Sequence, residues 1–520
     1  MVLDVIVALA LALAFTAQML RWSRVLQREH YEPSSMRRFL ARWSTPQVAS
    51  AKSVQRSKPH RPITLTHVFV AVLLVTVVVR ADVLAALVSV AYGLLCPQGL
   101  SIKGRTSKLH WTRRLTTVFV AAVIFAMILA LAGFFTKRPW LPAVAMVWAV
   151  PVLLDVTTRL LAPLEDRKAA KFVDQAVERL DRVHPRVVAI TGSYGKTSTK
   201  NHLRDLLTVS DGVVASPRSF NNRAGLSRTI NENLADGTQI FIAEMGTFAR
   251  GEIADLCSWC PPEIAVVTAI GPVHLERMKS LDVIEQAKFE ITERARTVVV
   301  NIDDERLARW PERLIEAGKR VRSVGSASLD ASVRVVEVDG RWEVYVDGAP
   351  VASAASVAGI QTTNLACAIG AALELGVTTD EIVQRLDRVT VVANRSNVVR
   401  APSGVMVIDD TFNANPASAA AALRLLASLP IEGRRVVVTP GLIELGEDQY
   451  MENMRLASRV EAYGAELVVV GRTNARPLLM GHQGSVRRFD TRDQAVEWVR
   501  SALIAGDGVL YLNDLPDHYP

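Results

Sequence analysis

The sequence predicts a chain in two parts: transmembrane helices over residues 1–161, then two α/β blocks on mostly parallel sheets, at 186–395 and 396–520, the second Rossmann-like. Three observations predict this. Half of the 520 residues are apolar and mean hydropathy is +0.21, too high for a wholly water-soluble enzyme of this length. Residues 1–161 hold 19 Lys and Arg against 5 Asp and Glu, a surplus of +14 in a total of +8, so the remaining 359 residues carry −6. The basic excess lies between apolar runs, a topology pattern and not a nucleic-acid footprint. From Arg186 onward, short β-branched runs alternate with helical patterns, the mark of a parallel α/β sheet.

In chain order, residues 2–20 are apolar except for Asp4, Thr16 and Gln18. With no basic lead and no small-x-small cleavage site, this run predicts an uncleaved anchor. Residues 21–61 hold ten Lys and Arg with two acids and read as a polar loop. Apolar runs at 63–79 and 83–95, split by Arg80-Ala81-Asp82, predict a tight helical hairpin. A basic stretch at 101–114 precedes the cleanest span, 115–135, about 20 residues and long enough to cross the hydrocarbon core. The run at 141–161 is interrupted by Pro151 and Asp155, and 162–185 reads as a connecting helix. Five spans with the N-terminus outside put both basic loops, and everything after residue 161, in the cytoplasm of a bacterial inner membrane. Asp4 and Asp155 are the acids within the spans and sit either near an interface or at a polar site in the membrane.

Strands are expected at 187–191, 239–243, 264–268 and 297–300, each leading into polar residues, where ligands of such sheets bind. Asp-Gly pairs at 339–340 and 347–348 predict small hairpins within 331–357. The second block offers strands at 405–408, 435–438, 467–470 and 508–512. Four cysteines make no disulfide framework; Cys257 and Cys260 form a C-x-x-C without a second pair nearby, leaving structural thiols or a redox or metal role open.

The chemistry centres on Val187–Thr199. A buried-strand run is followed by Gly192-Ser193-Tyr194-Gly195-Lys196-Thr197-Ser198, and then by a helix. The glycines let backbone N–H groups converge on an anion, Lys196 supplies a cation for the β/γ-phosphates, and Thr197 a hydroxyl suited to Mg²⁺. This is a phosphate-binding loop, although Ile190 stands where the common G-x-x-x-x-G-K-[ST] pattern has its first glycine. Glu244, at a strand end, can face Mg²⁺ opposite Thr197. His274 follows another strand, Lys288 lies on a helix, and Asn221-Asn222 reads as a polar turn. Each alone is ordinary surface or core; their order behind a phosphate loop raises them together.

That order carries a resemblance. The stretches Gly192–Thr199, Asn221-Asn222-x-x-Gly225, Glu244-Met245-Gly246, Gly251-Glu252-Ile253, Gly271-Pro-Val-His274-Leu, Ala287-Lys288, Asn301-Ile-Asp303-Asp304, Asn364-Leu-Ala, Ile408-Asp409-Asp410-Thr-Phe-Asn413-Ala-Asn415-Pro-Ala-Ser418 and Glu444-Leu-Gly446 make the region from about 186 to 520 resemble the Mur ligase family. The likeness is greatest to its MurF branch, which joins D-alanyl-D-alanine to UDP-N-acetylmuramoyl-tripeptide. The resemblance implies a central ATP-binding α/β domain at 186–395 and a C-terminal domain at 396–520. It implies ATP and Mg²⁺ as cofactors, with Gly192 to Ser198 on the phosphates and Thr197, Glu244, His274 and Lys288 serving the metal. Lys288 matches a lysine that is carbamylated in these ligases, a change from cation to anion that lets the group approach Mg²⁺. It places Asn364, Arg395 and Asp410 at the nucleotide, and Asn221, Asn222, Asn413 and Asn415 near the nucleotide or substrates. The implied reaction converts a carboxylate into an acyl phosphate, which an amine then displaces.

The departures concern the substrate. Apolar spans replace the soluble recognition domain of the MurF branch, Ile360 and Gln361 stand where a histidine usually precedes the Asn364 position, Asn394 replaces a glycine before Arg395, and Asn513-Asp514-Leu515-Pro516-Asp517 replaces a Lys-Gly-Ser type ending. The expectation is therefore a membrane-anchored, ADP-forming ligase of cell-envelope or peptidoglycan biosynthesis. It would join an amino-acid or dipeptide amine to a carboxylate acceptor, lipid-linked or polymeric. The alternatives are a poly-γ-glutamate-type synthetase and a non-catalytic ATP-binding membrane scaffold.

Overall fold

The computed structural model describes residues 2–32, 35–44, 65–79, 81–97, 100–104, 108–133, 140–207, 212–391, 397–412, 414–515 and 519. The chain divides into two compact units: Met1–Lys168 with Gly471–Arg476 and Leu515–Pro520, and Ala169–Val470 with Pro477–Asp514.

The first unit is helical: Val2–Arg28, Ser35–Ser44, Leu65–Val78, Asp82–Leu95, Arg113–Gly133 and the start of Trp140–Val183. Val7, Leu11 and Ala14 of the first helix pack with Ala86, Tyr92, Val144 and Val147. A Cβ at Gly93 would come 2.6 Å from that of Ala14, so the close approach of the two helices needs small residues. Trp148 stacks on Tyr92 with ring centroids 3.7 Å apart, and its indole donates to Ser89 Oγ at 2.9 Å. Gln18 and Arg21 donate to the carbonyls of Gly93 and Cys96, and Arg21 also to that of Leu94. They satisfy a helix end that has no further turn to bond to. Asp155 is not a lone intramembrane charge: it accepts from the Met36 amide at 3.4 Å and pairs with Arg37 at 3.5 Å. Leu9, Leu13, Leu74, Val75, Met127, Ile128 and Leu131 are exposed.

Among the described residues three helices are long and apolar enough to cross a membrane, Val5–Arg28, Arg113–Leu131 and Trp140–Val183, where the sequence leads one to expect about five spans. The hairpin helices Leu65–Val78 and Asp82–Leu95 have 14 residues each. At about 1.5 Å per residue that is about 21 Å, short of a core of about 30 Å. The last span and the connecting helix are continuous. Trp140–Val183 is one 44-residue helix running through Pro151 and Pro163, because a helical proline removes one hydrogen bond without removing the apolar surface on either side.

The second unit holds two sheets. The first contains β1 (Arg186–Thr191), β2 (Val213–Ala215), β3 (Ile240–Glu244), β4 (Ile264–Val267), β5 (Thr297–Asn301), β6 (Arg320–Gly325), β7 (Val333–Val338), β8 (Arg341–Val346) and β9 (Ala349–Ala355). Their order is β2-β3-β1-β4-β5-β6-β7-β8-β9. The pairs from β2 to β7 are parallel, and β8 and β9 add antiparallel. Both faces are covered, as a parallel sheet requires: Phe241, Ala243 and Val267 face one core, Val188, Ile190 and Ile242 the other. Asp339-Gly340 and Asp347-Gly348 have positive φ at both positions (49° and 72°, 49° and 81°), the conformation of the hairpin turns their sequence predicts. Val173, Ala176 and Leu180, in the last turns of the long helix, join the first core.

The second sheet contains β10 (Asn397–Arg400), β11 (Met406–Asp410), β12 (Arg435–Thr439), β13 (Glu466–Val470), β14 (Val486–Phe489) and β15 (Gly508–Leu512), in the order β10-β11-β15-β12-β13-β14. All pairs are parallel except β10 with β11.

Candidate active site

The register of the first sheet assembles the site. Ile190 in β1 pairs with Glu244 in β3, and Thr191 with Val267 in β4, so three strand ends open on one loop. That loop turns at Gly192 and Gly195, with φ of 149° and 79°. A Cβ on Gly195 would strike the Asn364 side chain and one on Gly192 the Thr268 hydroxyl, so neither position admits another residue without movement. Lys196 begins the helix Lys196–Leu207, and its ammonium curls back onto the carbonyls of Gly192 (2.6 Å) and Ser193 (3.4 Å).

Glu244 is the hub. Its Oε2 accepts from the Thr197 hydroxyl at 3.0 Å and from Lys200 at 3.0 Å, and its Oε1 from the Asn221 amide at 3.1 Å. Burial by itself pushes this carboxyl's pKa up; the Lys200 and Lys196 ammonium groups and the bonds from Lys200 and Asn221 outweigh it and hold it below the ordinary value. Lys288 is buried. Its pKa lies well below that of an ordinary lysine, first because of burial and then because of Lys196, against the opposing pull of Glu252, Glu244 and Glu290. Its amine lies within electrostatic reach of Lys196 and Glu244, and burial favours the unprotonated form, the one that attacks CO₂ to make a carbamate.

A glutamate carboxylate beside a threonine hydroxyl is a hard-oxygen donor set, and it fits Mg²⁺, which binds through one or two carboxylates plus phosphates and water. No cluster of three His, Cys, Asp or Glu able to hold a metal occurs among the described residues.

Other expected residues turn elsewhere. His274, with φ of 54°, hydrogen-bonds through Nδ1 to Glu444 Oε2, not to Glu244, and the adjacent Leu275 amide donates to the Glu444 carbonyl at 2.9 Å. The resemblance implies a role for His274 at the metal; in this structure the C-terminal block carries the acceptor for its ring. Ser193 Oγ exchanges hydrogen bonds with the Gly271 backbone at 2.9 and 3.1 Å, and the Tyr194 ring lies against Gly271; both serve the loop's own packing. Asn222 caps the helix Arg223–Asn233 by accepting from Gly225 N–H at 2.9 Å. Asn415 caps the helix Pro416–Ser428, accepting from Ala417 and Ser418 N–H at 3.0 and 2.9 Å. Both asparagines are therefore architectural through those oxygens. Asn364 is buried beneath Gly195, Ser198 lies in the first turn of its helix, and Asp410 is buried at the end of β11. Arg395 and Asn413 lie outside the described residues.

Sequence reasoning missed Lys200 and the partner role of Glu444. Lys200 stands four residues after Lys196, on the same helix face, and that spacing was the available signal. Cys257 and Cys260 are buried, with burial pushing the Cys257 thiol up to about 12 and Cys260 higher still. Burial that holds both thiols protonated disfavours thiolate chemistry at the C-x-x-C.

Comparison with known proteins follows this geometry. Residues 190–372 match the Mur ligase middle domain and residues 394–512 the Mur ligase, glutamate ligase domain. The UDP-N-acetylmuramoyl-tripeptide–D-alanyl-D-alanine ligase of Mycobacterium tuberculosis is 35% identical over 316 residues, 58% of this chain and 61% of that protein. The chain thus spans about three fifths of that relative's length. MurF of Acinetobacter baumannii superposes with a TM-score of 0.59 at 23% identity, over 66% of this chain and 77% of that one. MurF of Thermotoga maritima, solved in complex with ADP, gives 0.58 at 24%, over 66% and 80%. At these identities the two structures show a shared fold. Through its central and C-terminal domains the chain belongs to the Mur ligase family, on its MurF-like side.

Proposed function

We propose that this protein is a membrane-anchored, ATP-dependent ligase that forms an amide bond through an acyl phosphate. It couples an amino-acid or dipeptide amine to a carboxylate on a lipid-linked or polymeric acceptor in the bacterial cell envelope. The observation that carries the ligase reading is the Glu244 hub, with Thr197 at 3.0 Å and Lys196 in electrostatic reach, beside buried Lys288. Lys196 offsets charge on the transferring phosphoryl group, and the loop's N–H groups position it. Thr197 and Glu244 would hold Mg²⁺, which supplies further charge neutralisation when bound. Closure of the C-terminal block, supported by the His274–Glu444 bond, excludes water from the acyl phosphate.

Membrane anchoring is supported by the three long apolar helices and by their exposed leucine, isoleucine and valine faces, which suit lipid. The short hairpin, dipping in and returning, leaves sidedness unchanged. The inner-membrane placement with cytoplasmic α/β domains then rests on the basic segments around 21–61 and 101–114. The lipid-linked acceptor follows from where the family match begins, at residue 190, leaving the apolar helices in place of a soluble recognition domain.

The test is ADP release by the detergent-purified full chain against a panel of amino acids and dipeptides, with membrane lipid extract or soluble UDP-muramoyl-tripeptide as acceptor. Turnover with the extract is expected. Turnover only with the soluble nucleotide and D-alanyl-D-alanine overturns the acceptor assignment, and no ADP release with any pair overturns the ligase reading.

A further inference from the structure

Resting on that ligase reading, we propose that Lys200 is a positioning residue. It orients the Glu244 carboxylate for the divalent cation and keeps that cation from binding ahead of the nucleotide. Lys200 follows Lys196 by one helical turn, and its ammonium lies 3.0 Å from Glu244 Oε2, with both side chains 1% exposed. The same ammonium donates to the Arg218 carbonyl, in the segment leading to Asn221, whose amide holds the other Glu244 oxygen. One charged group thus ties the phosphate-loop helix, the end of β3 and the 216–222 segment around one carboxylate.

Fold stability does not account for this pair. Desolvating two ions costs about as much as their attraction returns, and apolar replacements are commonly as stable. Glu244 Oε2 is also the oxygen that takes the Thr197 hydroxyl, so Lys200 fixes the oxygen and the direction that a cation on Thr197 would meet. The charge balance sets the order of binding. The Lys200–Glu244 pair is neutral, and Lys196 adds a positive charge within reach, so a bare divalent cation approaching Thr197 is repelled. Polyphosphate reverses the sign, and the cation enters with it. Glu252 and Glu290 stay anionic, their carboxylates accepting from the backbone amides of Phe248, Gly251 and Ala254, and they act on Lys288, whereas the charges acting on Glu244 are those of Lys200 and Lys196.

The experiment uses the full chain in detergent with Mn²⁺ as probe, free Mn²⁺ being read by electron paramagnetic resonance with and without ADP. The wild type is expected to bind Mn²⁺ weakly alone and far more tightly with ADP. Lys200→Met is expected to bind Mn²⁺ alone about tenfold more tightly than wild type, with a melting temperature that Mn²⁺ raises more than it raises the wild type's. Lys200→Arg keeps the charge and should restore exclusion. If Lys200→Met does not fold, Lys200→Gln, which keeps a donor and drops the charge, reads the same quantity. Equal Mn²⁺ affinity in wild type and the neutral variant, or equal wild-type affinity with and without ADP, overturns the proposal. Wild type that binds no ADP at all overturns the underlying ligase reading, and this is recorded separately in the same titration.

Discussion

The two α/β domains present the same kind of strand end in different ways. In the central domain the segments after β1 and β2 and the end of β3 bring Thr197, Lys200, Asn221 and Glu244 into one network with distances of 3.0–3.1 Å. In the C-terminal domain the turn after β11 uses Asn415 to cap a helix, and Asp409 accepts from its neighbour Thr411. Glu444 reaches across, to His274. The difference teaches that the charged network is built within the central domain, while the C-terminal domain meets it through a contact at His274.

The variants that break or sharpen this contrast differ in expected size. Lys196→Ala should lower ADP release by about 10²–10³-fold, the loss typical of a preorganised charge-stabilising donor, with circular dichroism unchanged. A smaller loss would move the phosphoryl contact elsewhere. Lys288→Met should raise the melting temperature at pH 7 in buffer free of CO₂, where the wild-type lysine is an unmodified amine. The lysine's folded pKa lies well below its unfolded value of about 10.4, so between the two the unfolded chain binds the extra proton. Wild-type stability therefore rises with pH across that window, and the gap to Lys288→Met should close as pH nears 10.4. Glu444→Ala should reduce turnover about tenfold through looser closure, with ADP affinity by calorimetry unchanged; a matching loss of ADP affinity would erase the division of labour. The smallest effects belong to the caps. Asn222→Ala and Asn415→Ala should each cost about 1 kcal/mol in denaturant unfolding with activity per folded molecule kept, whereas Asn221→Ala should impair activity.

Side by side, the paired asparagines show why part of the site was illegible. Asn221 and Asn222 are adjacent and identical in type, yet one holds Glu244 and the other caps a helix. Backbone direction at the helix start separates them, and a string of letters does not carry it. His274 shows the same limit at longer range, since its partner lies 170 residues away.

The chain's own letters determine what depends on neighbours in sequence. These are the turn glycines with Lys196 and Thr197 at a helix start, the Asp-Gly hairpins, the period of the buried strands, and the apolar runs with their basic flanks. Each follows from local backbone preference or from burial of one contiguous segment. Tertiary structure alone decided that Lys200 pairs with Glu244, that Lys288 is buried with its pKa pushed down, and that His274 answers to Glu444. Those outcomes depend on strand register and on burial of charge by residues distant in sequence. Coulomb and desolvation terms act through space, so they exist only once the sheet has brought the groups together.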